Sequence, residues 1–211
     1  MADYDALKQA VIDGNASRVK ELTRGALDEG KRAQDVLDAA LIPAMDVVGE
    51  KFTNREFYIP EMLVAARAMQ GGLALLKPLL AAGDSKARGK AVIGTVKGDL
   101  HDIGKNLVGM MLQGGGFEVV DLGTDVKPQR FVEAVLAEKP DLVMMSALLT
   151  TTMVSMKETI EALKEAGLRG RVRVAVGGAP VTQRFAEEVG ADFYAPDATG
   201  AVSKAKELIV A

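Results

Sequence analysis

The chain has 211 residues, 48% hydrophobic and only 4% aromatic, with a formal net charge of −3 and no cysteine. That length suits one large domain or two small ones, with cores built from Ala, Val, Leu, Ile and Met. The absence of cysteine excludes disulfides, thiolate metal sites and cysteine nucleophiles, and the mixed charges offer no basic stripe for nucleic acid.

Residues 3–13 and 17–28 read as two short helices broken at Asp13-Gly14-Asn15. Residues 31–50 place Val36, Leu37, Ala40, Leu41, Ala44, Val47 and Val48 at helical spacing, with Pro43 expected to kink the run. Residues 60–80 carry Met62, Ala66, Met69, Leu73, Leu76 and Leu80 on one stripe, which reads as helix-bundle core. Pro60 suits the first position of that helix, where a missing N–H costs nothing. The stretch Ala82–Gly89 is polar and glycine-bearing, the composition of a linker. Two domains follow, a helical one over 1–84 and a second over 85–211. The acidic start has no basic-then-apolar leader pattern, and no uninterrupted run of about 18 apolar residues suggests a membrane span. The expectation is a cytoplasmic chain with no membrane partner.

After the linker the rhythm changes. Apolar, β-branched runs at 90–96, 117–121, 141–145, 171–176 and 192–194 alternate with helical segments at 104–115, 128–138, 152–167, 181–189 and 198–210. Such alternation implies a parallel sheet covered on both faces. Five strands match a flavodoxin-like, doubly wound α/β fold, in which ligands bind at the switch point flanked by the first and third strands. Functional residues are therefore expected just after those strands, in Gly98–Asn106 and Ser146–Thr152.

The first of these segments holds the chain's single histidine, His101. A neutral imidazole ligates transition metals well. Asp99, two residues earlier, can hydrogen-bond the other ring nitrogen, fix the tautomer and raise ligand basicity. Gly104 lets a bulky group approach the next helix. The plain alternative is a histidine that caps a helix or satisfies a loop. A bare metal site is a poor match, because no second histidine and no cysteine exist to complete a ligand set. The count suits a metal already held equatorially by a macrocycle, with the protein supplying one axial ligand and a pocket.

Asp99-Leu100-His101-Asp102-Ile103-Gly104 matches the DxHxxG motif of cobalamin-binding domains, Ser146-Ala147-Leu148 their SxL, and Gly177-Gly178 their GG, in order and on the predicted strand ends. Val47–Phe52 and Phe57–Glu61 are similar to the helical cap module of methionine synthase. The whole chain resembles the stand-alone corrinoid proteins of methyltransferase systems. The resemblance implies cobalamin or a related corrinoid bound base-off and His-on, with His101 below cobalt. It implies that Asp99 bonds the far ring nitrogen and that Thr152, six residues after Ser146, completes the relay where methionine synthase carries a serine. Asp99, His101 and Thr152 are thus the candidate catalytic residues. Leu100, Asp102, Ile103 and Gly104 come with the motif. Ser146 and Leu148 would contact the buried nucleotide tail, and Gly177 and Gly178 would leave room for it. An ordinary strand-to-loop turn also accounts for the glycine pair. Ala179, Asp197 and Thr199 lie near the same sheet edge. Phe52 and Ile59 align with residues that cover the methyl face of cobalt, although helical spacing alone also allows bundle core.

The implied activity is that of a methyl carrier. A donor-specific methyltransferase would load cob(I)alamin, an acceptor methyltransferase would unload methylcob(III)alamin, and a reductive activation protein would restore the oxidised centre. The helical module would move for partners to reach cobalt, making 82–89 a hinge. Three other classes share parts of the pattern: the cobalamin subunit of a radical mutase, a cobalamin-dependent sensor, and a response regulator without cobalamin. The helical module argues against the first, the lack of a basic surface against the second, and the lack of an acidic phosphorylation pocket against the third.

Overall fold

The computed structural model describes residues 3–81 and 87–209. These form two compact units, one built from the helices up to Ala81 and one from the elements that begin at Lys90. Residues 82–86 of the expected linker, and with them the boundary between residues 84 and 85, lie outside the described residues.

The helical unit begins with α1 (Tyr4–Ile12) and α2 (Ala16–Asp28). Asp3 caps α1 by accepting from the Ala6 N–H at 2.9 Å, and Asn15 caps α2 from Arg18 N–H at 3.0 Å. Each cap satisfies a donor that the first helical turn leaves unpaired. Gly14, between them, has φ +68°, and a Cβ there would stand 2.2 Å from Val64 Cγ1. The turn therefore needs glycine for both its conformation and its packing.

The expected single helix over 31–50 is three pieces. α3 (Ala33–Val36) runs into a π turn (Leu37–Leu41) and then α4 (Ile42–Thr53). The Ile42 N–H reaches back five residues to the Leu37 carbonyl. Pro43 has no N–H for Ala39 and its ring would crowd that carbonyl. Widening the preceding turn relieves the clash, so the proline is absorbed by a π turn.

α5 (Ile59–Ala81) buries Met62, Ala66, Met69, Leu73 and Leu76 of the expected stripe, together with Ala65, while Leu80 is only half-buried. It packs against α1, α2, α3 and α4. Ile59–Leu80 is, by length and composition alone, long and apolar enough to cross a membrane, although it holds no uninterrupted run of about 18 apolar residues. Glu61, Arg67 and Lys77 interrupt it, and its buried stripe serves as bundle core.

The second unit alternates strands and helices: β1 (Lys90–Thr95), α6 (Ile103–Gly114), β2 (Glu118–Asp121), α7 (Pro128–Glu138), β3 (Leu142–Ser146), α8 (Val154–Glu165), β4 (Arg173–Gly177), α9 (Gln183–Val189), β5 (Phe193–Ala195) and α10 (Ala198–Leu208). All neighbours pair in parallel, in the order β2-β1-β3-β4-β5. This is the flavodoxin-like order, with its switch point between β1 and β3. β4 starts two residues later than its apolar run, because Arg169–Arg171 closes a 3₁₀ turn.

Successive strand residues alternate between the two faces. Val92, Val143, Met145, Val174 and Val176 face one way and join Phe131, Val135, Met156, Ile160 and Leu163 of α7 and α8 in a single core. Ala91, Ile93, Leu142, Met144 and Ala175 are buried on the opposite face.

Candidate functional site

Strand register brings the sequence motifs into one row. Thr95 pairs with Ser146, Ser146 with Gly177, and Gly177 with Ala195. The C-terminal ends of four strands therefore lie side by side, and the DxHxxG, SxL and GG segments leave the sheet from adjacent positions.

After β1 the chain turns at Gly98 (φ +82°) and buries Asp99 completely. One carboxylate oxygen, Oδ2, accepts from the Leu148 N–H at 2.7 Å, the Leu149 N–H at 3.3 Å and the Thr152 hydroxyl at 2.8 Å. The other, Oδ1, accepts from the His101 backbone N–H at 3.1 Å and lies 2.7 Å from His101 Nδ1. Burial by itself pushes the Asp99 carboxyl up. Donation from Leu148, from the Thr152 hydroxyl and from the ring and backbone of His101 more than offsets it, holding the group well below the usual carboxylate range.

An ionised carboxylate only accepts hydrogen bonds. The proton on the Asp99 side of the ring therefore sits on Nδ1, and in the neutral ring Nε2 keeps its lone pair. Among the described residues none bonds Nε2, and the His101 side chain is 52% exposed. Thr95, buried at the end of β1, donates its hydroxyl to the His101 carbonyl at 2.8 Å and fixes the backbone below the ring. The loop thus presents one oriented imidazole nitrogen outward.

Its neighbours are apolar and exposed. Leu100 and Ile103 are 74% and 73% exposed, and Leu148 and Leu149 are also exposed. Bulky apolar side chains held open beside one oriented ring are suited to a large organic ligand. Gly104, in the first turn of α6, meets nothing within 4 Å of an added Cβ. The protein's own packing does not require glycine there.

The remaining predicted residues are placed more variably. Ser146 ends β3, beside buried Ala147. Gly178 has φ +120°, and its Cβ would fall 1.9 Å from the Ala147 carbonyl oxygen. The sheet's own backbone therefore demands glycine at this position. At Gly177 an added Cβ would stand 3.3 Å from the Ala195 carbonyl. Ala179 is exposed on the loop beyond. Asp197 caps α10, accepting from Gly200 N–H and the Thr199 hydroxyl at 2.8 Å each. Asp102 accepts from the Asn106 amide at 3.0 Å. Phe52 ends α4 half-buried and Ile59 opens α5 exposed, so neither is fully buried bundle core.

Besides Thr95, three contributors have no counterpart in the motif reading. Leu149 donates through its backbone, which leaves no side-chain signature. Asp125 grips the loop that carries Asp99. Lys105, only 3% exposed, donates to Asn106 Oδ1 at 2.7 Å and pairs with Asp121. A lysine on the buried face of an apolar helix is itself a legible signal.

Fold and site together define a doubly wound domain that offers a single oriented imidazole at its switch point. Family models described as B12 binding domains match residues 89–204 and 4–77. The chain is 43% identical to dimethylamine corrinoid protein 3 of Methanosarcina acetivorans, over 100% of both chains. It is 42% identical to trimethylamine corrinoid protein 2 of that organism, over 96% of this chain and 94% of the relative. Among solved structures, the methanol:cobalamin methyltransferase complex of Methanosarcina barkeri superposes with a TM-score of 0.87 at 33% identity, covering 97% of this chain and 78% of that one. The chain belongs to the B12-binding corrinoid protein family.

The residues fit that cofactor class. Among the described residues no three His, Asp or Glu side chains converge on a metal position. One outward Nε2 suits a metal whose other positions a macrocycle already fills, and the exposed leucines and the open space at Gly104 suit the macrocycle.

Proposed function

We propose that this protein is a methyl carrier in which His101 Nε2 binds cobalt from below, with the corrinoid held base-off and His-on. The observation that carries the proposal is the buried Asp99, fixed by four donors and 2.7 Å from His101 Nδ1, an arrangement that favours the Nδ1–H tautomer of the neutral ring with Nε2 outward. The bound cobalt would supply the centre that accepts and releases the methyl group.

The protein's residues then have distinct tasks. Asp99 orients the ring and shares its Nδ1 proton. Thr152 donates to Asp99 Oδ2 and has the Leu149 carbonyl 2.9 Å away as a second acceptor. If Asp99 Oδ2 took up a proton, that hydroxyl could turn from Oδ2 to the Leu149 carbonyl, so Asp99 and Thr152 would together accommodate it. Leu100, Asp102, Ile103 and Gly104 would lie against the corrinoid. Ser146, Leu148, Gly177, Gly178, Ala179 and Asp197 would line the path of the displaced nucleotide tail along the row of strand ends. Phe52 and Ile59 would form a dry cover over the methyl face. The helical unit, assigned to 1–84, would be a separate domain from the carrier domain over 85–211.

Partners follow from the carrier role: a methyltransferase that selects the donor, a second that selects the acceptor, and a reductive activator. Relatives named for dimethylamine and trimethylamine are almost equally similar to this chain. That parity supports placing donor choice in the partner enzyme.

Anaerobic reconstitution with hydroxocobalamin, followed by electron paramagnetic resonance of the cob(II) form, tests the reading. Nitrogen hyperfine splitting in wild type that disappears in His101→Ala, with corrinoid still bound, is the expected result. A wild-type spectrum without that splitting would sink it.

A further inference from the structure

Asp125 lies on the loop after β2, outside every motif assigned above, and it has a left-handed backbone at φ +54°. Non-glycine residues rarely adopt that conformation, with Asp and Asn the usual exceptions. The loop is zipped to the end of β1. Thr95 N–H donates to the Gly123 carbonyl and Val126 N–H to the Thr95 carbonyl, each at 2.9 Å. Asp125 extends the zip in two directions. Its backbone N–H donates to the Asp99 carbonyl at 2.9 Å, and its carboxylate accepts from the Gly98 N–H at 2.7 Å.

Gly98 is itself left-handed at φ +82°. Two left-handed residues on different loops are therefore cross-linked directly before the histidine. Gly98 sets where the backbone of Asp99 goes. Asp99 must reach the amides after β3 with one oxygen and the His101 ring with the other. A shift of a few tenths of an ångström at Gly98 lengthens one set or the other, because the carboxylate is rigid.

We propose that Asp125 is a positioning residue for the axial imidazole. It acts through Gly98 and Asp99 and touches neither the ring nor the cofactor. The inference rests on the reading of His101 as the cobalt ligand for its functional meaning, but its geometry stands on the apo protein alone.

Three substitutions separate the contributions. Asp125→Asn keeps the acceptor and tolerates the left-handed backbone. Asp125→Gly keeps the backbone and loses the acceptor. Asp125→Ala loses both. His101 is the chain's only histidine, so its ring nitrogens are identified in ¹⁵N spectra without ambiguity. The first readout is the tautomer ratio of the neutral ring in cofactor-free protein. Asp125→Ala is expected to lower the Nδ1–H to Nε2–H ratio about two- to fivefold, the scale of one ordinary hydrogen bond. Asn should restore the ratio and Gly should fall between. A purely structural role would lower thermal stability in Ala and Gly yet leave the tautomer unchanged, and that outcome overturns the proposal.

The second readout is the nitrogen splitting of the cob(II) form after loading with hydroxocobalamin. Wild type without splitting refutes the axial-ligand reading and leaves the tautomer result to judge the clamp. Wild type with splitting, and an Asp125→Ala spectrum of equal His-on fraction, refutes the clamp alone.

Discussion

Replacing Asp99 with Asn changes one atom of the side chain and should disturb both the fold and the ring. Asp99 is fully buried and accepts from five donors. Asn has one oxygen and one amide nitrogen, so one side of the site must face a donor with a donor. The oxygen will point to the Leu148 N–H and the Thr152 hydroxyl, the larger set. The amide then meets the His101 backbone N–H and Nδ1. A buried donor left unsatisfied costs about 1–3 kcal/mol, and the remaining bonds drop from charge-assisted to neutral strength. The total comes to about 2–4 kcal/mol. For a chain of this size that lowers Tm by about 5–15 °C. The amide also donates toward Nδ1, so the ring must move its proton to Nε2, the atom proposed to bind cobalt. Thermal unfolding of the apo protein and the ¹⁵N tautomer assay measure the two effects together. An Asn variant with wild-type Tm and an unchanged Nδ1–H tautomer would refute the electrostatic account of the site.

Acid should expose the same group. Its native carboxyl titrates below its unfolded value of about 3.9, so its stabilising contribution is full above that pH and fades as pH falls toward the native value. The gap between the urea midpoints of wild type and Asp99→Asn should therefore narrow progressively as pH falls below about 4; a constant gap would contradict the depressed titration. Gly104→Ala meets open space in a helix and should stabilise the apo protein by about 0.5–1 kcal/mol while weakening corrinoid binding in a titration. Unchanged affinity would mean that no ligand approaches there. Gly178→Ala puts a methyl group against the Ala147 carbonyl from a left-handed backbone. A loss of about 3 kcal/mol or more in denaturant unfolding is expected, and a mild effect would show that the β4 turn relaxes easily. Asp121→Ala removes a partner from buried Lys105 and should cost about 1–3 kcal/mol, measured by urea unfolding of the apo protein.

Much of the site was legible because it depends on local chemistry. Strict strand–helix alternation identifies the sheet and its switch point, and Asp-x-His beside a glycine with Ser-x-Leu after the third strand marks where the polar residues gather. Periodicity located the helices to within a few residues, since burying one face is a requirement the sequence writes directly. The π turn at Leu37–Leu41 escaped because a proline within a helical run can be met by a kink, a break or a widened turn, and packing selects among them.

What only tertiary structure decided lies in contacts between segments far apart in the chain. Asp99 meets Leu148, Leu149 and Thr152 across about fifty residues, mostly through backbone amides that any residue type supplies. Asp125 reaches Gly98 through a left-handed turn, and Gly178 is glycine because a neighbouring strand's carbonyl occupies the space of a Cβ. The sequence determined which imidazole stands at the switch point and which carboxylate pairs with it. Sheet register decided how rigidly that carboxylate is held, because only the pairing of β1 with β3 brings it within hydrogen-bonding reach of the Leu148, Leu149 and Thr152 donors.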